Sequence, residues 1–288
     1  MVKIGEIFQK CEVALGDAMR KLWAERPDYF LLYLARGEYN SLSKGIAGIS
    51  PYMTDYTLDL YNIHYQQLYI IQYLNRNYKR EGFDYQNKED VNDLITEMLI
   101  YSHIWEDVGY LKLLIRLAEL LDGKDYDWST DIEYHTELYE TIHKRVIDPL
   151  QNQKLALGDM VESAYSSHIR NAFAHSMYSI YYESRTIEIW GGRSEDKSWR
   201  ERILFEDFQE KFIKTIRIWN QLYHWHEECR KVAAMDKMCT NWIPLPDGKY
   251  LQLKAVMLQR GDRMEPSFRG DVAKINMNRR CKECWCKV

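Results

Sequence analysis

Residues 163–180 read SAYSSHIRNAFAHSMYSI, and the reading of this stretch as a helix decides what kind of fold the chain has. On a helix Asn171 and His175 are four positions apart and share a face, and His168, seven before His175, nearly joins them. Arg170 and His175 are five apart, about 140° around the axis and about 7.5 Å along it. They form no tight pair within their own helix, but both reach into a groove along its edge. A guanidinium offers a planar fork of donors with a permanent charge, and an imidazole moves a proton near neutral pH. Together they suit a phosphodiester. Spacing alone decides little, because Arg217 and His224 stand at a comparable separation; the local sequence and the segments after it carry the weight.

Beyond Ile180 the chain changes character. Thr186–Trp190 and 199–205 are rich in β-branched and aromatic residues, and GGRSEDK between them is a polar turn, so the segment reads as a β-hairpin. Helical periodicity then returns, with Phe208, Phe212, Ile216, Trp219 and Tyr223 on one stripe and Glu206, Asp207 and Glu210 near the helix start, where the dipole favours negative charge. Upstream, residues 3–24 place Ile4, Ile7, Phe8, Cys11, Leu15, Met19 and Leu22 on one face of a helix. Asp28 is expected to cap a second helix through Tyr33, with Gly37 ending it. Residues 37–54, with three Gly, three Ser and one Pro, read as a loop. Helical patterns occupy 55–78, then 89–121 with a break near 106–109 and a stop at Gly123, then 131–150, ended by Pro149.

Composition narrows the classes. Hydrophobic residues make up 46% and charged residues 28% of the 288, the balance of a globular chain rather than a disordered one. With 14 Gly and 6 Pro, collagen-like and many-stranded β architectures are excluded. The longest apolar run, Tyr29 to Ala35, is too short to cross a bilayer. The first residues alternate charge with apolar positions, unlike a secretion signal. Six Cys, three of them crowded at the end, do not form a disulfide framework, so a reducing, cytoplasmic setting is expected. Residues 230–288 carry 13 Lys and Arg against 6 Asp and Glu in a chain of net charge −4. A basic tail on an acidic body permits contact with nucleic acid or with the body itself.

RNAFAHSMYSI, then a hairpin, then ILFEDFQEKF opening a helix, resembles the HEPN superfamily, whose signature is an Arg, usually with a polar residue next to it, and a His after four to six intervening positions on a helix of an all-α bundle. Arg170, Asn171 and His175 match that signature residue by residue. The resemblance covers about 155–225, extends as a helical bundle over 55–150, and is absent from 240–288. It implies a mainly α fold: a HEPN-like bundle (51–238) with a β-hairpin before its last long helix, N-terminal helices (1–50) packed on it, and a small basic, Cys-containing appendage (239–288). It also implies a metal-independent endoribonuclease without cofactor, of toxin or antiviral-defence type, with RNA as substrate. Two copies of the Arg–His helix would meet across a homodimer, and an antitoxin or defence-system protein is the further partner implied. Arg170 would stabilise charge on phosphorus, His175 act as general base or acid, and Asn171 orient it or bind phosphate.

Other readings stand beside this one. His175 hydrogen-bonded inside a bundle, with Arg170 bridging to a carboxylate such as Glu162, makes a non-catalytic module that binds RNA, a nucleotide or a partner protein. Glu106 and Asp107 lie at the helix break, but no motif assigns them. Cys281 and Cys284 have a zinc-ligand spacing, with Cys286 and Cys239 as further thiols, yet the usual second pair is missing. Trp285 among basic residues is a stacking candidate. His224 and His226 point apart on a helix, one to the surface and one to the core. The Tyr-rich run from Tyr52 to Tyr73 reads as a packing stripe. No phosphate-cradling Gly loop is present, so nucleoside triphosphate hydrolysis is not expected.

Overall fold

A computed structural model of the chain describes residues 4–39, 52–54, 70, 91–130, 132, 138–191, 200–260 and 263–273. The helical pattern over 55–78, the Tyr-rich run, the turn after Gly191 and the Cys-rich tail lie almost wholly outside them. The helices, in chain order, are α1 (Ile4–Glu25), α2 (Pro27–Ala35), α3 (Val91–Trp105), α4 (Val108–Leu121), α5 (Leu138–Ile142), α6 (Asp148–Asn152), α7 (Ala156–Ala164), α8 (Ser167–Ala174) and α9 (Phe205–Met235). The strands are β1 (Gly37–Tyr39), β2 (Tyr52–Thr54), β3 (Tyr178–Tyr181), β4 (Thr186–Trp190), β5 (Arg200–Leu204), β6 (Ile243–Pro244), β7 (Tyr250–Arg260) and β8 (Arg263–Ala273). The chain is mainly α with small antiparallel sheets. Its contacts group into two units, Met1–Glu25 with Asp55–Glu227, and Arg26–Thr54 with Glu228–Val288. No helix among the described residues is long and apolar enough to cross a membrane.

In the first unit α1 buries Ile7, Cys11, Leu15, Met19 and Leu22 of the stripe read from the sequence, while Ile4 and Phe8 are half-buried. The break expected near 106–109 is a boundary built by Asp107. Its Oδ1 accepts from the N–H groups of Gly109 (2.9 Å) and Tyr110 (3.2 Å), satisfying two of the donors that every helix start leaves open. Its Oδ2 accepts from Trp219 Nε1 (3.0 Å) and the Tyr223 hydroxyl (3.2 Å). One carboxylate therefore starts α4 and fastens α9 to it. Around this point the aromatic rings of Tyr101, Trp105, Tyr165, Phe173 and Phe208 pack edge to face, with centroids from 4.8 to 6.5 Å apart, the geometry their quadrupoles prefer.

Several expectations are corrected, the first being the loop over 37–54, whose two ends pair as β1 and β2 from Gly37↔Thr54 to Tyr39↔Tyr52. Pro149 does not end a helix: α5 passes through a π-helical turn, His143–Ile147, into α6, with Pro149 in its first turn. Proline has no N–H for the carbonyl four residues back and its ring crowds that carbonyl, so the turn before it widens instead of stopping. The second helix carries Pro27 in its first turn, and it ends at Arg36 rather than Gly37, with Arg36 in the left-handed region at φ 57°. Asp28 caps nothing there; its carboxylate accepts from Asn241 N and Nδ2, each at 2.9 Å. The hairpin of β4 and β5 pairs from Thr186↔Leu204 to Trp190↔Arg200, but a third strand, β3, lies on its other side. Ile187, Ile189 and Ile203 turn inward and are buried.

In the second unit α2 is buried on every side from Phe30 to Ala35. β7 and β8 form an antiparallel ladder in continuous register from Tyr250↔Ala273 to Arg260↔Arg263. Pro266 and Gly270 mask β8; they are tolerated because, in the order β6–β7–β8, this strand is at the edge.

Asp107→Ala is expected to lower the unfolding free energy by about 3 kcal/mol or more, through a lost cap and two stranded donors on Trp219 and Tyr223. Asp107→Asn recovers the cap share only. Urea unfolding of the three proteins measures both differences.

Candidate functional site

The motif stretch is two helices, not one. The chain straightens at Tyr165 and Ser166 between α7 and α8. Ser166 is the N-cap of α8, its hydroxyl accepting from Ile169 N at 3.3 Å. Tyr101, 65 residues upstream, pins this junction: its hydroxyl donates to Ala164 O (3.0 Å) and accepts from Ser166 N (2.9 Å). That hydroxyl is fully enclosed, and burial pushes its pKa far up, so it remains a neutral strut. Lys211 adds a second tie, donating to Ser163 O at 2.9 Å; burial and then Lys214 lower its pKa.

The far end of α8 is a Schellman turn. His175 is the C-cap, Ser176 takes φ 55°, Ser176 N donates to Phe173 O (3.3 Å) and Met177 N donates to Ala172 O (2.7 Å). These are the two bonds that close this motif, and they turn the chain directly into β3. The left-handed residue is a serine rather than the usual glycine, which hides the helix end in the sequence.

Ile169, Ala172 and Phe173 face inward and are buried, while His168, Asn171 and His175 are exposed. Arg170 is half-buried, with its Nε donating to Asn171 Oδ1 at 3.1 Å and its Nη2 donating to the same oxygen. It also lies near the buried hydroxyls of Tyr101 and Tyr165; burial pushes the Tyr165 phenol up to about 12, and the Arg170 charge pulls it the other way. Glu162 accepts from Gln151 Nε2 at 2.9 Å. Thus, among the described residues, Arg170 is held by a neutral amide and by no carboxylate, which leaves its charge for an anion. Asn171, its oxygen taken, offers an anion its amide N–H groups. The His175 imidazole makes no hydrogen bond to either side chain among the described residues. His168 pairs instead with Glu201 of β5, Nδ1 to Oε2 at 3.4 Å.

The remaining candidates fall elsewhere. Asp107 is committed to its four donors. His224 is exposed and His226 is fully buried, the split expected two residues apart. Cys239 is exposed; Cys281, Cys284, Cys286 and Trp285 lie outside the described residues. Tyr101 had no signal in the sequence, being remote from the motif, and Glu201 had none beyond its place in a strand. No family model matches the chain, and no curated protein and no solved structure matches it.

The site therefore presents, on one rigidly anchored short helix, a charged guanidinium, an amide and an exposed imidazole at the helix end. Removing its anchor tests the arrangement. Tyr101→Phe leaves Ser166 N–H and Ala164 O without their partner and costs about 1–3 kcal/mol in urea unfolding. A gain is expected from Ser176→Gly, about 1 kcal/mol, since glycine adopts the left-handed cap without a Cβ clash; thermal unfolding reads it as a raised midpoint.

Proposed function

We propose that this chain is a HEPN-type, metal-independent endoribonuclease, of the toxin or defence-effector kind, acting as a homodimer. The observation that supports it is the outward strip of α8: Arg170 steadied by the neutral Asn171 amide rather than by a carboxylate, with His175 exposed at the same helix end. A guanidinium neutralised by an acid has little left for a phosphate; one braced by an amide keeps its attraction for the extra negative charge of a pentacoordinate phosphorus.

The reaction needs two proton transfers. A base takes the proton of the 2′-hydroxyl, the 2′-oxygen bonds to phosphorus, the bond from phosphorus to the 5′-oxygen breaks, and an acid protonates that leaving oxygen. The products are a 2′,3′-cyclic phosphate and a 5′-hydroxyl. His175 of one copy fills one role and His175 of a second copy the other, with the paired Arg170 residues on the phosphate between them. Such an effector would also require a neutralising or triggering partner protein.

RNA cleavage in EDTA by the wild type and by His175→Ala, with mass by light scattering, tests this. Wild-type cleavage leaving cyclic phosphate ends, and at least about 100-fold loss in the variant, is expected. Cleavage unaffected by His175→Ala overturns the mechanism. A folded dimer that binds RNA and cuts none turns the site into a binding module.

A further inference from the structure

The outward face of the β3–β4–β5 sheet holds a charge that structure alone does not require. Cross-strand pairing sets Ser179 opposite Glu188, Glu188 opposite Arg202, and Trp190 opposite Arg200; Tyr181, two residues past Ser179, shares their face. Ser179, Tyr181, Glu188, Trp190 and Arg200 line a recess of about 230 Å³. Glu188 is only 6% exposed, although it stands on the face turned away from the buried isoleucines. A buried carboxylate is costly unless its oxygens are filled. Oε2 accepts from the Tyr181 hydroxyl at 2.9 Å. Oε1 has Arg200 at 3.6 Å and Arg202 at 3.9 Å, both beyond hydrogen-bond length. The two arginine side chains are 68% and 71% exposed, and loose, exposed pairs of this kind contribute little.

The recess thus has an acceptor at its floor with lone pairs to spare, an indole and a phenol at its walls, and two cations at its rim. A simple cation is repelled by the rim and a simple anion by the floor. A ligand that fits offers donors to the floor, a flat face to the walls and negative charge to the rim, which describes a nucleotide. Among the bases only guanine carries two adjacent donors, N1–H and the N2 amino group, on its Watson–Crick edge. Adenine and cytosine set one amino group beside an acceptor, and uracil sets one N–H between two carbonyls. We propose that this face binds a guanine base of single-stranded RNA, with Glu188 accepting from its N1–H and N2 amino group, Trp190 and Tyr181 packing on the ring, and Arg200 and Arg202 holding flanking phosphate. Ser179 lies four residues after His175, within about 14 Å along the chain, a span that one or two extended nucleotides cover. The proposal rests on RNA being the ligand of the adjacent α8 site and names the base that site is cut beside.

Calorimetry on the full chain with the four nucleoside 5′-monophosphates tests it without any cleavage. Guanosine monophosphate is expected to bind at least tenfold tighter than the other three. Glu188→Gln should erase that preference, and Arg200→Ser with Arg202→Ser should weaken the nucleotide while leaving guanosine unchanged. The Trp190 indole resonance, assigned by its loss in Trp190→Phe, should shift on adding guanosine monophosphate to the wild type, a readout that needs no folded Glu188 variant. Equal affinity for all four nucleotides overturns the proposal, as does a preference that survives in Glu188→Gln. A fall in oligomer mass on Trp190→Ala with no change in nucleotide binding makes the face a contact between copies and also overturns it. Guanosine monophosphate binding without RNA cleavage removes only the ribonuclease reading; cleavage with no guanine preference removes only this one.

Discussion

Two oxygens of Asp107 accept four hydrogen bonds, and the meeting of α3, α4 and α9 depends on them. The carboxylate must interrupt the polypeptide between α3 and α4, because a side chain that accepts from its own following N–H groups does so from an extended backbone. The interruption leaves Tyr101 and Trp105 at the end of α3, where Tyr101 anchors the α7–α8 junction and Trp105 donates to Thr215 of α9. The other oxygen fixes α9, and β5 runs straight into α9 at Phe205. The sheet beside the candidate site is thereby held from both ends.

That architecture explains how an eight-residue helix can serve as a rigid platform. Isolated helices of this length do not persist in water. Here Ser166 and Tyr101 close one end, the Schellman turn closes the other, and Phe173 is wedged among Tyr101, Tyr178 and Phe208. The polar side chains that the proposed chemistry uses make no part of this support, so they can vary without the helix being lost.

Much of this was legible in the sequence where periodicity or a charged break gave a signal: α1, the interruption at Asp107, the β4–β5 pairing and the stripe on α9. Arg170 and Asn171 also lie on a helix, although His175, read as a member of its face, is the cap just past its end. The features that stayed hidden have a common cause. Ser176 adopts the left-handed conformation usually marked by glycine, so the end of α8, and with it the whole of β3, had no local sign; Arg36 does the same one residue before Gly37, which shifted that helix end by a single position. Pro149 looked like a terminator because its backbone cost is absorbed by a π-helical turn rather than by stopping. Tyr101 and Glu188 act through partners brought near by tertiary packing or by a strand register, and neither distance is written in residue spacing.

Pro266 has a consequence for how the chain behaves in a crowd. Among the described residues β8 is the edge of its sheet, and a long ladder with a bare edge invites a strand from another molecule. Proline fits within such a strand where its nitrogen faces away from the neighbour, so the outward side of β8 lacks a donor in the middle of its length. An incoming strand meets a gap in the hydrogen-bond row and a ring in its path. The residue that disguises the strand in the sequence thus also protects the sheet from growing into an aggregate.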